Sequence, residues 1–196
     1  MAKRLFDLLL SAMGLLLLSP ALLMIAMWIK LDSPGPVFYR QERVGRFGEP
    51  FRIHKFRTMA HGGGGALITV GQDVRITRAG AFLRRAKLDE LPQLIDVLQG
   101  TMSLVGPRPE VPRYVAMYPA PLRDKVLSVR PGITDLASLE YRDENERLAR
   151  AADPEREYVD VVMPAKLQLA AHYVDRASLR FDLQLILRTL RLVWWR

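Results

Sequence analysis

The chain has 196 residues, no cysteine, three histidines and a net charge of +8. That length suffices for one domain with a real core. The absence of cysteine excludes disulfides and thiolate metal sites, and the scattered His54, His61 and His172 argue against a histidine-rich metal centre. The positive balance suits partners carrying phosphate or carboxylate: nucleic acid, anionic lipid or phosphorylated substrates.

The first element is a greasy helix. Leu5 to Ile29 contains one charge, Asp7. A cleaved signal peptide fits poorly, because the apolar run continues past Ser19-Pro20 without a small-x-small cleavage site. A core helix of a soluble protein fits poorly too, given so long a leucine run. Two membrane arrangements remain, a kinked spanning helix and a re-entrant hairpin broken at Ser19-Pro20. Pro20 removes a backbone donor and should bend the helix, while the Ser19 hydroxyl can serve the freed backbone groups. The first arm, Leu5 to Leu18, rises only about 21 Å, short of a hydrocarbon core of roughly 30 Å. Lys3 and Arg4 precede the run and Lys30, Arg40, Arg43, Arg46 and Arg52 follow it, so the positive-inside tendency asks both ends to stay on one side.

Beyond the run, Val37 to Phe56 alternates imperfectly around turn signals at Gly45 and Gly48-Glu49-Pro50, which predicts a short β-hairpin. His61-Gly62-Gly63-Gly64-Gly65 predicts a flexible loop; no Lys-Ser or Lys-Thr follows it to make a phosphate loop. Ala79 to Lys87 predicts a short basic helix. Leu91 to Gln99 predicts another, with Leu91, Leu94, Ile95 and Leu98 on its apolar face and Gly100 as its stop. Arg142 to Asp160 is strongly charged and reads as solvated helix or loop, and Pro164 opens a further helical stretch. The last helix, Leu179 to Arg196, is amphipathic through Leu183, Ile186, Leu187, Leu190 and Val193 and ends on Trp194-Trp195. It reads as an interfacial helix lying in the headgroup layer. The fold class is α+β, mostly α: a membrane helix (1–30) and a small globular domain (31–196) integrated with it.

The chemistry gathers around Lys87-Leu88-Asp89-Glu90-Leu91-Pro92. Asp89 alone has a plain structural use, as the N-cap of the helix that follows. In its neighbourhood it has a second use. Arg84 lies about one turn upstream and favours an ionised carboxylate, which can coordinate Mg²⁺ or attack phosphorus. Adjacent residues point in different directions, so Asp89 and Glu90 should hold different roles; neighbours also supply badly the two opposed carboxylates of a glycosidase. Gly106-Pro107-Arg108-Pro109-Glu110 is a rigid turn that presents Arg108 at a fixed angle, suited to bidentate phosphate binding. Lys55-Phe56-Arg57-Thr58-Met59 and Arg130-Pro131-Gly132-Ile133-Thr134 are further basic turn motifs, each weak alone.

Taken in order, Ser19-Pro20 and the motifs at 55–59, 88–93, 102–109 and 130–134 resemble those of the bacterial sugar transferases of the monotopic phosphoglycosyl transferase family. The resemblance covers nearly the whole chain, at the length of the small members that consist of the catalytic domain. It implies transfer of a sugar 1-phosphate from a UDP-sugar to a polyprenol phosphate, undecaprenyl phosphate being the expected acceptor. The products would be UMP and the first lipid-linked intermediate of a surface glycan such as an exopolysaccharide. It further implies that Asp89 is the nucleophile, forming a phosphosugar-enzyme intermediate with Mg²⁺ beside it, that Glu90 assists, in metal positioning or in handling the acceptor's proton, and that Lys55, Arg84 and Arg108 hold phosphates. The same resemblance favours the re-entrant hairpin at Ser19 and Pro20, and places the protein on the cytoplasmic face of the bacterial inner membrane. It leaves the sugar and the oligomeric state open, a homodimer included.

Two stretches depart from the family's pattern. Asp135-Leu-Ala-Ser-Leu-Glu-Tyr-Arg142 replaces the usual Gly-Trp-Ala-Gln-Val-Asn-Gly-Arg, and Leu169-Ala-Ala-His-Tyr-Val174 lacks the usual acidic residue before its Tyr-Val pair. Neither touches the Asp-Glu dyad. Two other readings compete. A basic membrane-anchored binding module gives the dyad no role, and no groove-reading motif or aromatic platform supports nucleic acid as its partner. A non-catalytic scaffold does not call for an intact dyad and Arg108 turn.

Overall fold

The computed structural model describes residues 1–60 and 73–194, the side chains of Val193 and Trp194 excepted. The glycine-rich loop and Trp195 lie outside the described residues.

Helix α1 (Ala2–Asp32) continues through Ser19-Pro20 as one helical element. The reason is local. Pro20 has no N–H to offer the carbonyl four residues back, which is that of Leu16, and the Ser19 hydroxyl donates to this carbonyl instead at 2.8 Å. One face of α1 lies on the rest of the protein. Arg4 donates to the carbonyls of Val97 and Leu98 at 2.7 and 3.2 Å, Gly14 lies against Leu94, and Leu22, Ile25, Ala26 and Ile29 pack on Phe56, Ala79 and Leu83. The opposite face carries Leu5, Leu9, Met13, Leu16, Leu17, Leu23, Met24, Met27 and Leu31, all exposed, with Leu31 at 87%. Apart from the gap around Ser19-Pro20, their spacing of about one helical turn draws an apolar stripe along the helix. By length and composition α1 could cross a membrane.

The end of α1 is tied down by Arg57, buried at 4% exposure. Its guanidinium donates to the carbonyls of Pro34, Ser33 (2.8 Å) and Ile29 (3.4 Å), at and just beyond the helix C-terminus, where carbonyls lack intrahelical donors or share them. The Asp32 carboxylate accepts from the Ala79 N–H at 3.0 Å.

Strands β1 (Phe38–Val44) and β2 (Pro50–Phe56) form the expected antiparallel hairpin, in register Phe38 with Phe56 and Val44 with Pro50. Helix α2 (Arg78–Arg85) is capped by Thr77, whose side chain accepts from the Gly80 N–H. It packs so tightly on the Lys55–Met59 segment that a Cβ at Gly80 would stand 2.0 Å from the Thr58 carbonyl. After a single 3₁₀ turn (Leu88–Glu90) comes α3 (Gln93–Gln99), stopped by Gly100 in the left-handed region as expected. The burial of α3 is inverted relative to the sequence reading. Gln93 and Asp96 are 1% exposed, Val97 is buried, and Leu98 is exposed. The leucine face is turned partly to α1, through Leu94, while Asp96 faces inward because His54 meets it there.

Strand β3 (Ser103–Val105) pairs in parallel with β4 (Gly132–Thr134), and between them run α4 (Pro112–Val115) and α5 (Ala120–Val126). The charged stretch beyond β4 forms α6 (Leu136–Glu140), α7 (Glu144–Arg150), α8 (Pro154–Glu157) and a π-helical turn (Tyr158–Val162). It is less solvated than its charge suggests, since Leu148, Tyr158 and Val162 join Val111, Tyr114 and Met163 in one core cluster. Then follow α9 (Met163–Arg176) and α10 (Leu179–Trp194). On α10 the buried residues are Asp182 and Leu185, whereas Leu183, Leu187 and Leu190 are exposed. Most of its apolar face therefore points away from the core.

Candidate active site

Three segments converge on the Asp-Glu pair. β2 brings Lys55, the 3₁₀ turn brings Asp89 and Glu90, and the turn after β3 brings Arg108. The approach to the dyad is strained. Lys87 sits at φ 57°, ψ 20°, a left-handed conformation that costs a non-glycine residue about 1–3 kcal/mol. It closes α2 and sends the chain directly into Leu88-Asp89-Glu90.

The two carboxylates differ in their surroundings. Glu90 is fully engaged. Its Oε1 accepts from Lys55 Nζ at 2.8 Å and from Arg108 Nη2 at 2.5 Å, and its Oε2 accepts from Arg108 Nη1 at 3.2 Å. Burial alone would raise its pKa, but the charges and hydrogen bonds of Arg108 and Lys55 hold it well below the usual carboxylate range. Arg108 is raised in turn, chiefly by the Glu90 charge. Lys55 is pushed down by burial, against the upward pull of Glu90.

Asp89 has no hydrogen bond among the described residues. The N-cap reading fails for it: the residue at the cap of α3 is Pro92, and no side chain caps that end. Its carboxylate is thus neither a cap nor half of a close ion pair. Burial pushes its pKa up, the neighbouring Glu90 charge adds to this, and Lys55, Arg84 and Lys87 pull it back. Arg84 acts on Asp89 through its charge, and its side chain makes no hydrogen bond to Asp89. A partly buried carboxylate with cations nearby and no partner among the described residues could meet an electrophile or a hard cation that arrives with its own anionic groups. Among the described residues no cluster of three acidic or histidine side chains could hold a metal ion. With Glu90 occupied, Asp89 is the oxygen donor the dyad offers a metal.

The Arg108 turn is held from behind. Gly106 and Gly132 cross backbone on backbone, so that a Cβ at Gly132 would stand 2.0 Å from the Gly106 nitrogen. Gly132 N–H donates to the Pro107 carbonyl at 2.9 Å. The two proline-glycine motifs that are weak alone are therefore one structure. On the far side of the turn, the Glu110 carboxylate accepts from Arg43 at 3.1 Å, from the Val111 N–H at 2.8 Å and from the Tyr158 hydroxyl. Burial lowers Arg43 and raises Tyr158, so the former is held charged by Glu110 and the latter stays a phenol.

Sequence reasoning missed three supporting side chains. Arg57 lies in the Lys55–Met59 motif, and its neighbourhood to Lys55 was the available signal. His54 bridges β2 to α3: its Nδ1 stands 2.6 Å from Asp96 Oδ1, while Arg40 Nη1 faces its Nε2 at 2.5 Å. A guanidinium only donates, so Nε2 is the acceptor and Nδ1 carries the proton. Asp96 also accepts from the His54 backbone N–H at 2.8 Å, which fixes β2 beside the helix that follows Glu90. Ser19 and Pro20 lie on α1, away from this group.

Comparison with known proteins agrees with the motif order. The bacterial sugar transferase family profile matches residues 1–196, and the chain belongs to that family. It is 38% identical over 192 residues to the UDP-glucose:undecaprenyl-phosphate glucose-1-phosphate transferase of Escherichia coli (strain K12), covering 95% of this chain and 39% of that protein. It is 35% identical over 195 residues to the UDP-N-acetylgalactosamine-undecaprenyl-phosphate N-acetylgalactosaminephosphotransferase of Aeromonas hydrophila, covering 97% and 43%. It is 39% identical over 205 residues to the exopolysaccharide production protein PSS of Rhizobium leguminosarum bv. phaseoli, covering 95% and 92%. The chain thus spans about two fifths of the first two relatives and nearly all of the third.

Proposed function

We propose that this protein transfers a sugar 1-phosphate from a UDP-sugar to a polyprenol phosphate, undecaprenyl phosphate by analogy with the named relatives. The observation that carries the reading is an Asp89 carboxylate without a hydrogen bond to any described residue, beside a Glu90 locked by Lys55 and Arg108, in a chain of this family. In the first step an Asp89 oxygen attacks the phosphorus that bears the sugar. A P–O bond forms to Asp89, the P–O bond to UMP breaks, and UMP leaves with that electron pair. In the second step an oxygen of the acceptor phosphate attacks the same phosphorus and displaces the carboxylate, giving a polyprenol diphosphate sugar and the free enzyme.

Glu90 is a poor proton acceptor in this setting, since Arg108 and Lys55 stabilise its charged form. Its role is to hold those two cations at the phosphate site. Arg84 and Lys87 lie on the side of Asp89 and offset the charge brought by the two anionic substrates. The donor set fits Mg²⁺ held by one carboxylate together with substrate phosphates. Asp89 would hold it, and bound Mg²⁺ would stabilise charge on the phosphate oxygens.

The contacts of α1 support a monotopic placement at the cytoplasmic face of the inner membrane, with the helix running unbroken through Ser19-Pro20 along the globular body. Lys3 and Arg4 at its start and Ile29 and Asp32 at its end all contact the same globular body. A helix crossing a core of roughly 30 Å would separate its ends by the membrane. The exposed leucines of α10 and the apolar stripe of α1 give the domain two surfaces for lipid.

The test is UMP release from a panel of UDP-sugars with polyprenol phosphate and Mg²⁺. Release that requires both the lipid acceptor and Asp89 supports the reading and names the donor. Hydrolysis of UDP-sugar unaffected by acceptor, or turnover unchanged in Asp89→Asn, would sink it.

A further inference from the structure

A second buried polar cluster lies where α1 begins, and it grips the strand that leads to Arg108. Lys3 Nζ donates to Asp182 Oδ2 at 2.6 Å and to the Val105 carbonyl at 3.1 Å, and stands 4.0 Å from Asp7 Oδ1. The Tyr173 hydroxyl is within 2.8 Å of Asp182 Oδ1 and 3.1 Å of the same Val105 carbonyl. Ser103 Oγ lies 2.8 Å from Asp7 Oδ2 and 2.9 Å from the Val105 carbonyl; with one proton, it donates to one of them at a time. The Leu104 N–H donates to Asp7 Oδ1 at 3.3 Å. Asp7 and Asp182 are 2% and 0% exposed, so these carboxylates have fixed partners and no solvent to move into.

The Val105 carbonyl is thus the meeting point of α1, α9 and β3. From it to Arg108 the chain has little slack. Gly106 is jammed against Arg130 and Gly132, where a Cβ would meet the Arg130 carbonyl at 2.4 Å, and Pro107 has a fixed φ. Arg108 then meets Glu90 with two hydrogen bonds.

We infer that Lys3 is a positioning residue for the transfer reaction: by holding the Val105 carbonyl and Asp182 together, it makes the seating of Arg108 on Glu90 depend on the seating of the membrane helix. The inference rests on the proposed transferase reading for its kinetic part, and on geometry alone for its structural part. A mere structural clamp would change stability and leave the Arg108 turn and the chemical step as they are. A positioning clamp changes the mobility of residues 103–110 and kcat, with little change in KM.

The experiment uses the full chain in lipid nanodiscs. Lys3→Met keeps the side-chain stem and removes the donors, Lys3→Arg keeps donors, and Tyr173→Phe removes one hydroxyl from the same carbonyl. Hydrogen exchange of residues 103–110 is read beside UMP release. Lys3→Met is expected to speed exchange at Gly106 and Arg108 and to lower kcat about 10- to 100-fold, the scale of a misplacement of about 1 Å. KM for the UDP-sugar should stay within about twofold, as expected when an interaction made in the transition state is weakened. Lys3→Arg should restore both readouts, and Tyr173→Phe should shift them in the same direction by less. Unchanged exchange at 103–110 in a folded Lys3→Met would overturn the inference. So would a wild-type kcat in folded Lys3→Met, where the wild type turns over. If Lys3→Met does not fold, Tyr173→Phe decides, and wild-type exchange and kcat in that variant overturn the inference. If wild type releases no UMP from any donor while Lys3→Met still loosens 103–110, the transferase reading has failed and the coupling stands.

Discussion

The Glu90 cluster and the Asp182 cluster are built from the same parts. Each has a lysine on a carboxylate, a second donor on the other oxygen, and a strand end close by. In the Asp182 cluster each carboxylate has a partner, Asp7 and Asp182 alike. The Glu90 cluster has the same closure and, one residue away, a carboxylate outside it. The difference separates acids with a structural use from one that is a candidate for chemistry. Burial and neighbouring cations are common to both clusters, and an Asp89 carboxylate without a partner among the described residues is what sets the candidate site apart.

The largest expected effect breaks that distinction at its centre. Asp89→Asn should lower turnover on the order of 10⁴-fold or more, the scale seen when a nucleophile is removed, while thermal unfolding in the same detergent stays at or above wild type. A partly buried carboxylate that lacks a close partner among the described residues carries a desolvation cost, so its neutral isostere should not lower stability. Next comes Glu90→Gln, which leaves Arg108 and Lys55 without their shared anion. It should lower kcat about 10²- to 10³-fold, and it should also destabilise, by about 1–3 kcal/mol after allowing for the partial exposure of Arg108. Opposite signs of stability change in two adjacent carboxylates would sharpen the comparison; equal losses would break it. Gly132→Ala forces a side chain onto the Gly106 backbone and should displace the Arg108 turn. An activity loss of about 10²-fold is expected, measured with UDP-sugar and acceptor both saturating.

A pH titration separates the two acids more gently. The raised pKa of Asp89 means that the folded state favours its protonated form. Its contribution to stability is present below the unfolded carboxylate value and is lost as pH rises through the folded value. Glu90, held low, contributes above the unfolded value and loses that contribution as pH falls through its depressed one. Turnover should therefore rise with pH through the Asp89 transition and then level off, as the attacking carboxylate forms. A kcat profile whose acid limb does not come from Asp89 would show no change of limb when donor binding and chemistry are separated by single-turnover kinetics. The smallest effect is at the far end of α1. Arg57→Lys puts one ammonium where a guanidinium serves three carbonyls and should cost about 1–2 kcal/mol in urea unfolding, with kcat near wild type.

Much of the site was legible in the sequence, because its residues travel in short motifs: the dyad, the Arg108 turn and the Lys55 strand each keep their chemistry within a few residues. The β-hairpin, the basic helix α2, the Gly100 stop and the helix opened near Pro164 were legible for the same reason, being set by turn residues and local period. What was not legible depends on partners far along the chain. The Asp89 N-cap reading failed because a 3₁₀ turn precedes α3 and Pro92 takes the cap position. The apolar face of α3 misled because Leu94 meets α1 while Asp96 turns inward to His54, 42 residues away. Pairing of Lys3 with Asp182 spans 179 residues, and no local signal marks it. The glycine-rich loop lies outside the described residues.

Asp89 is the proposed nucleophile, and intact-mass measurement tests this most directly. The protein is held with its UDP-sugar donor and Mg²⁺ and without polyprenol phosphate, then acid-quenched. The predicted result is a mass increase of one sugar phosphate on wild type, chased off by added acceptor and absent from Asp89→Asn. Full turnover with no adduct on wild type, or an adduct that persists in Asp89→Asn, would contradict it.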